Sequence, residues 1–232
     1  MVGRNDLLLR RVCVLALAAV LLVACGGGGD VDTSGDPQKA ADAVLRQSDL
    51  PDGFAPKDSS SSSSGDTAGD QAAKECYRKA TGKDPDVLEN ERTGKAEAKF
   101  EQGAGVTSVE VDGEVELYPD GTALSEQLQA FALPATADCL TEAFNTEFTL
   151  QGLPVSELDL RFNRLDGVGD EAGQFLLSAT LLVSGVEIQL GSEINFVRVG
   201  RAALTATVTR FNAAPDHELA LTALNAMKGR LG

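Results

Sequence analysis

The side chains that bear most directly on chemistry in this 232-residue chain are one histidine, four cysteines and a loose set of arginines. His217 opens the segment His217-Glu218-Leu219-Ala220-Leu221. A zinc-protease helix places a second histidine four residues on, but Leu221 stands there, so the second ligand is missing. His217 is therefore expected to be solvated or to sit at a helix cap. One histidine without a closely spaced cysteine pair supports no transition-metal site. No serine falls in Gly-x-Ser-x-Gly, the turn that exposes a hydrolase nucleophile. Gly103-Ala104-Gly105 and Gly167-Val168-Gly169 do not lead into helices, the placement that a phosphate or dinucleotide loop requires. Carboxylates are too numerous for one pair to stand out as acid and base. The expectation is a protein that is not an enzyme, with no catalytic residue, cofactor or metal. Arg161, Arg164, Arg198, Arg201 and Arg210 are more notable, because they fall together on one β-rich stretch. Cross-strand ion pairs account for them; an anion-binding face built on Arg161, Arg198 and Arg201 is the sharper alternative. Asp166, Asp170 and Glu171 flank a turn, or alternatively form an acidic rim for calcium or a cationic ligand.

The N-terminus carries an address. Arg4, Arg10 and Arg11 precede the apolar run Val12 to Val23, 12 residues long. That length suits a signal-peptide core and is too short for a permanent bilayer span. The run stops at Leu22-Val23-Ala24-Cys25, which resembles the lipobox of bacterial lipoproteins. The resemblance implies diacylglycerol on the Cys25 sulfur, cleavage after Ala24 and usually acylation of the new amino group. One acyl chain binds membranes marginally, whereas two or more hold stably. Residues 1–24 are thus expected to be a signal peptide and 25–35 a flexible tether that starts with Gly26 to Gly29. Residues 36–232 are expected to be a single domain, held by lipid at the extracytoplasmic face of the cell membrane.

Charge and cysteine count fit that address. The whole chain has a formal charge of −15, and losing residues 1–24 removes three Arg and one Asp, which leaves −17. Such a domain is repelled by nucleic acid and by anionic headgroups, so its only membrane contact is expected through the lipid on Cys25, and no nucleic acid partner is expected. No Trp and two Tyr leave little for a stacking surface. With Cys13 removed and Cys25 lipidated, Cys76 and Cys139 remain. A cysteine pair in an exported domain reads as one disulfide, with two buried thiols as the alternative.

The elements that must carry these residues follow from periodicity. Asp36 is a good N-cap with Pro37 behind it, and opens a short helix. Leu50-Pro51-Asp52-Gly53-Phe54 enforces a turn. A Ser-rich stretch over about 56–70 is expected to be a disordered loop. Ala72, Cys76, Tyr77 and Ala80 recur at helical spacing up to Gly82. Ala96, Ala98 and Phe100 alternate in one strand; Val109, Val111, Val115 and Leu117 alternate in the next, with a bulge expected at Asp112-Gly113. Two helices follow, marked by Leu124, Leu128 and Phe131, then by Cys139, Leu140, Ala143 and Phe144. Four strands with short connections close the chain as an antiparallel meander, and a helix runs from Pro215 to about Arg230. The fold class is α+β: an antiparallel sheet, built from the C-terminal four-strand meander plus an N-terminal hairpin, flanked by helices.

Three segments carry a resemblance: Ser48-Asp49-Leu50-Pro51-Asp52-Gly53-Phe54; Thr122-Ala123-Leu124 through Ala137-Asp138-Cys139-Leu140; and Gly167-Val168-Gly169-Asp170-Glu171-Ala172 with Phe196-Val197-Arg198-Val199-Gly200-Arg201. Together they resemble the PknH-type extracytoplasmic sensor domains of actinobacterial kinases and their stand-alone lipoprotein relatives. The resemblance implies a helix-flanked antiparallel sheet with a surface groove for an extracellular ligand, and it transfers no catalytic residue. This chain departs in keeping two soluble cysteines where the kinase sensor has two bridges. The expected function is a membrane-anchored, non-enzymatic ligand-binding or sensing module, its ligand a small molecule, a lipid or an envelope component. The alternative is a carrier of an acyl-chain lipid, which needs a large apolar cavity between sheet and helices.

Overall fold

The computed structural model describes residues 31–57, 68–84 and 86–231. The expected signal peptide and Cys25 lie outside the described residues, as does the Ser-rich segment over 58–67. In chain order the helices are α1 (Asp36–Ala43), α2 (Ala68–Thr81), α3 (Asp86–Glu91), α4 (Thr122–Phe131), α5 (Pro134–Leu150) and α6 (His217–Gly229). The strands are β1 (Ala55–Pro56), β2 (Gly94–Gln102), β3 (Val109–Leu117), β4 (Val155–Arg164), β5 (Glu171–Val183), β6 (Val186–Val199) and β7 (Ala202–Phe211). They form one antiparallel sheet in the order β1-β2-β3-β7-β6-β5-β4. The expected hairpin (β2–β3) and meander (β4–β7) are both present, and β3–β7 pairing joins them edge to edge.

Two helical layers cover this sheet diagonally. On one face α1 and α6 lie over β2, β3, β7 and β6, where Phe100, Val111, Val115, Leu204, Ala206 and Val208 pack with Ala40, Ala43, Leu224 and Met227. On the other face α4 and α5 lie over β6, β5 and β4, where Phe175, Leu177, Ile194 and Phe196 pack with Leu128, Phe131, Phe144 and Phe148. Alternation therefore decides the layering: each half of the sheet has one apolar face and one polar face. At the overlap β6 is buried on both sides from Leu190 to Val197, with Ile194 and Phe196 toward α4 and α5 and Glu193, Asn195 and Val197 toward α6. Among the described residues no helix covers the opposite two quarters. One is the polar face of β2 and β3, the other that of β4 and β5.

Local chemistry sets the joints. Asp216 caps α6 by accepting a hydrogen bond from the Leu219 amide at 3.1 Å, with Glu218 in the first turn and Lys228 in the last, as the helix dipole favours. Ser184 (φ 53°) and Gly185 (φ 82°) put positive φ at both central positions of the β5–β6 turn, the requirement of a tight type I′ hairpin. Cys76 of α2 and Cys139 of α5 form a disulfide, with Cα atoms 5.4 Å apart, and it clamps α2 onto α5. Closing 63 residues stabilises the fold by about 4 kcal/mol on the chain-entropy account.

Three expectations need correction. Asp36 is not the N-cap of α1: it lies inside the first turn, makes no capping bond, and its buried carboxylate receives Arg201. β3 has no bulge at Asp112-Gly113, because its register with β2 and β7 is continuous. Gly113 is needed for packing instead; a Cβ there would lie 2.5 Å from Leu45 Cβ and 3.1 Å from Met227 Sδ. The loop expected over about 56–70 is ordered at both ends. Pro56 pairs with Phe100 and the Lys57 amide reaches Lys99 O at 2.8 Å, while residues 68–70 already belong to α2. The short helix α3 had no counterpart in the periodicity.

Candidate functional groove

The helix-free quarter over β2 and β3 concentrates charge. Alternation directs Lys95, Glu97, Lys99 and Glu101 of β2 to the same face as Glu110, Asp112, Glu114 and Glu116 of β3, and the register pairs them across the strands. Lys95 faces Glu116 and Lys99 faces Asp112, which are complementary. Glu97 faces Glu114 and Glu101 faces Glu110, which are like charges directly opposed and destabilising. Lys57 bridges the second like pair, binding Glu110 and lying 3.9 Å from Glu101. Among the described residues no single cation bridges the first pair in that way: Lys99 binds Glu97 at 2.7 Å and Lys95 binds Glu114 at 2.9 Å. Next along the sheet, β7 contributes Thr205, Thr207 and Thr209, facing Glu114, Asp112 and Glu110 in turn.

The α4 edge and β6 wall this surface into a groove with two adjoining hollows, both open to solvent. One, of about 370 Å³, is lined by Glu114, Glu116, Gln127, Phe196, Arg198 and Thr205 among others. The other, of about 350 Å³, is lined by Glu97, Lys99, Asp112, Glu114, Ile194, Thr205 and Thr207. The enclosed part of each has room for roughly one water molecule, so both hollows are shallow. Glu114 and Thr205 line both.

Burial gives these carboxylates unusual proton affinities. Asp112 is pushed up to about 7, first by burial and against the attraction of Lys99, with Glu110 and Glu97 adding repulsion. Glu114 is pushed up to about 8 by burial and by the neighbouring charge of Glu116. Burial works on Glu116 in the same direction, yet the hydrogen bond from Glu114 together with Lys95, Arg92 and Tyr118 holds it below the ordinary range. Arg92 and the Tyr118 hydroxyl both donate to Glu116, the latter at 2.8 Å. Of the two neighbouring carboxyls, Glu114 is thus the one that holds a proton more readily and Glu116 the one that ionises more readily. Asp112 keeps one oxygen, Oδ1, buried and without a hydrogen-bond partner, while its other oxygen lies 3.8 Å from Lys99 Nζ. Arg198 Nε is likewise buried without a partner, and Arg198 lines the first hollow.

The three arginines singled out by sequence are not brought to one face. Arg201 is committed to structure: Nη1 and Nη2 hold the Asp36 carboxylate at 2.6 and 2.5 Å, and Nη1 also donates to Tyr118 O. That guanidinium pulls the Asp36 carboxyl below its usual range. Arg161 projects from the outer strand β4 beside Asp159 at 2.7 Å, largely exposed. Arg198 pairs with Asp170 at 3.2 Å and Glu171 at 3.3 Å, which engages two of the three acids read as a rim. Cross-strand pairing alone thus describes Arg161 and Arg201 incompletely, since both reach partners outside the strand facing them.

Sequence reasoning missed the groove. It registered the charged residues between Ala96, Ala98 and Phe100 only as the polar side of a strand. The available signal was three strands carrying polar residues at matching parity, including the Thr205-x-Thr207-x-Thr209 row of a strand that is central in the sheet. It also missed the partner of His217, whose Nδ1 lies 2.8 Å from Glu193 Oε1. Glu193 has a side chain only 2% exposed and also accepts from Asn195 at 2.8 Å. Among the described residues no three His, Cys, Asp or Glu side chains converge as a metal cage, and no helix is long and apolar enough to cross a membrane. The space under α4 and α5 that an acyl chain needs is filled by rings, with Phe175 5.2 Å from Phe131 and 5.1 Å from Phe162 between centroids.

Fold and groove together define an α+β protein: among the described residues, one seven-stranded antiparallel sheet, six α-helices and a charged depression on one open quarter. No protein-family model matches the chain, and no curated protein matches it. Among solved structures it is similar to the extracellular domain of PknH from Mycobacterium tuberculosis, with 10% sequence identity and a TM-score of 0.44 over 88% of this chain and 100% of that one.

Proposed function

We propose that this chain is a lipid-anchored extracytoplasmic module whose groove binds a small polar ligand bearing a cationic nitrogen, and that it binds rather than transforms that ligand. The observation that carries the reading is the surplus of buried carboxylate. Six acidic side chains share the face with Lys57, Arg92, Lys95 and Lys99, two of the six are pushed toward or beyond neutral, and Asp112 Oδ1 has no partner. A buried acceptor left unpaired costs free energy that an incoming donor recovers. A ligand ammonium or guanidinium supplies that donor and the missing charge at once. Arg198, with its unpartnered Nε at the far hollow, would take an acceptor on the same ligand; of the three arginines it alone lines the groove. The N-terminal segment supplies the location: the lipobox-like Leu22-Val23-Ala24-Cys25 would place the domain on the outer face of the membrane.

The test is titration calorimetry of the full chain with a panel of small amines and zwitterions, in buffers of differing ionisation heat. Binding a cation favours ionised Asp112 and Glu114, so it releases protons and tightens as pH rises from about 6 to about 9. Asp112→Asn and Glu114→Gln each weaken it, while Arg161→Ala leaves it unchanged. Absence of binding by every amine across that range, or binding with proton uptake, overturns the reading.

A further inference from the structure

The two edges of the sheet are treated very differently. At one edge β1 is two residues long and contains Pro56, so it is too short and too poor in donors to recruit another strand. At the other, β4 runs ten residues without proline, and among the described residues no strand pairs with its outer side. The ladder fixes which backbone groups are free. The Leu165 amide donates to Ala172 O at 3.1 Å in register with Arg164↔Gly173, so Asn163, Arg161 and Asp159 also turn their backbone groups toward β5. Leu158, Leu160 and Phe162 turn theirs outward. On the α5 side these three residues form an apolar row, and Leu158 and Phe162 are only partly buried within it.

We infer that this edge pairs antiparallel with the same edge of a second copy, about a two-fold axis through Leu160. Charge and apolar matching together select that register. Centred on Leu160, Asp159 of each copy faces Arg161 of the other, Leu158 faces Phe162, and Leu160 faces itself. Centring on Asp159 sets Arg161 against Glu157 but opposes two aspartates at the axis and leaves Phe162 facing Ser156, and centring on Arg161 opposes two arginines. A shift by one residue would set the apolar row of one copy against the polar row of the other. In the Leu160 register the outward groups of Leu158, Leu160 and Phe162 form about six backbone hydrogen bonds, and the half-buried Leu158 and Phe162 complete one apolar layer across the junction. The seven-stranded sheet becomes continuous through both copies. This pairing is independent of the groove.

The experiment is sedimentation velocity of the full chain in detergent, with micelles in excess, over a micromolar concentration series. The wild type shows a reversible monomer–dimer equilibrium. Asp159→Lys sets a lysine against Arg161 at both symmetric positions and weakens association about tenfold or more. The charge-swapped double variant Asp159→Arg with Arg161→Asp restores it to near the wild-type value. Both positions are exposed, so folding is preserved and circular dichroism confirms it. An equimolar mixture of Asp159→Cys and Arg161→Cys chains cross-links on mild oxidation, whereas Asp159→Cys alone does not. A wild type that stays monomeric throughout, or a dimer indifferent to Asp159→Lys, overturns the inference; retention of an unrelated protein on this edge, with no self-association, also overturns it.

Discussion

Replacing Asp112 by asparagine should stabilise the folded protein at alkaline pH while leaving it unchanged in acid. The carboxyl moves from 3.8 to about 7 on folding, because burial disfavours its charge more than Lys99 favours it. The folded state therefore holds the proton that the unfolded state gives up. Below about pH 4 both states are protonated and the aspartate costs nothing. As pH rises through about 4 to 7 the unfolded chain ionises first and stability declines, and above about 7 the full cost is present. A gap of roughly three pKa units corresponds to about 4 kcal/mol. With 20% of the side chain exposed, solvent screening takes that to about 2 kcal/mol. The asparagine side chain carries no charge in either state, so urea denaturation followed by far-ultraviolet circular dichroism should show the variant about 2 kcal/mol more stable than the parent near pH 8, equivalent to about 4–8 °C in Tm. Near pH 4 the two should coincide. A variant less stable than the parent at pH 8, or an advantage of equal size at both pH values, would refute the argument that Asp112 is an unrelieved buried charge. The expected gain has a functional cost, since the same substitution removes the acceptor proposed for the ligand's cation.

Other perturbations test other joints. Gly113→Ala should destabilise by about 1–3 kcal/mol in thermal unfolding, because its Cβ would meet Leu45 Cβ and Met227; an unchanged Tm would show that this packing is not tight. Arg201→Ala should cost about 3 kcal/mol at neutral pH by stranding the buried Asp36 carboxylate. Because folding lowers the Asp36 pKa, that contribution is present above about pH 4 and disappears as pH falls through the depressed value, so the parent and Arg201→Ala should converge in strong acid. Cys25→Ala should abolish labelling by a radioactive fatty acid and leave unprocessed chain; normal membrane extraction of that variant would remove the case for the anchor.

Period-two alternation made most strands readable, because β2 to β5 and β7 each have one predominantly apolar face, as in Ala96-x-Ala98-x-Phe100 and Leu204-x-Ala206-x-Val208; the two-residue β1 is too short to show a period. Short connections made the β4–β7 meander readable for the same local reason. The β3–β7 pairing was not, since Val111 and Val208 are far apart in the chain and nothing local records that they meet. Asp36 misled because a good capping residue and a buried salt-bridge partner look identical in sequence; Arg201, which decides between them, lies 165 residues away. The groove was hidden by the same limit. A charged row beside an apolar one reads as solvent-facing, and only assembly of β2, β3, β7 and α4 reveals that Glu114 and Asp112 are walled in. The Cys76–Cys139 bridge was accessible because it depended on counting rather than geometry.

The diagonal placement of the two helical layers has a consequence for orientation. The chain enters the fold at α1, which lies on the α1/α6 side of the sheet, while the groove opens on the side occupied by α4 and α5. The sheet therefore stands as a partition between the point where the chain enters the fold and the groove. If the proposed anchor holds the chain by its N-terminus, the groove opens on the face of the sheet turned away from the point where the chain enters the fold.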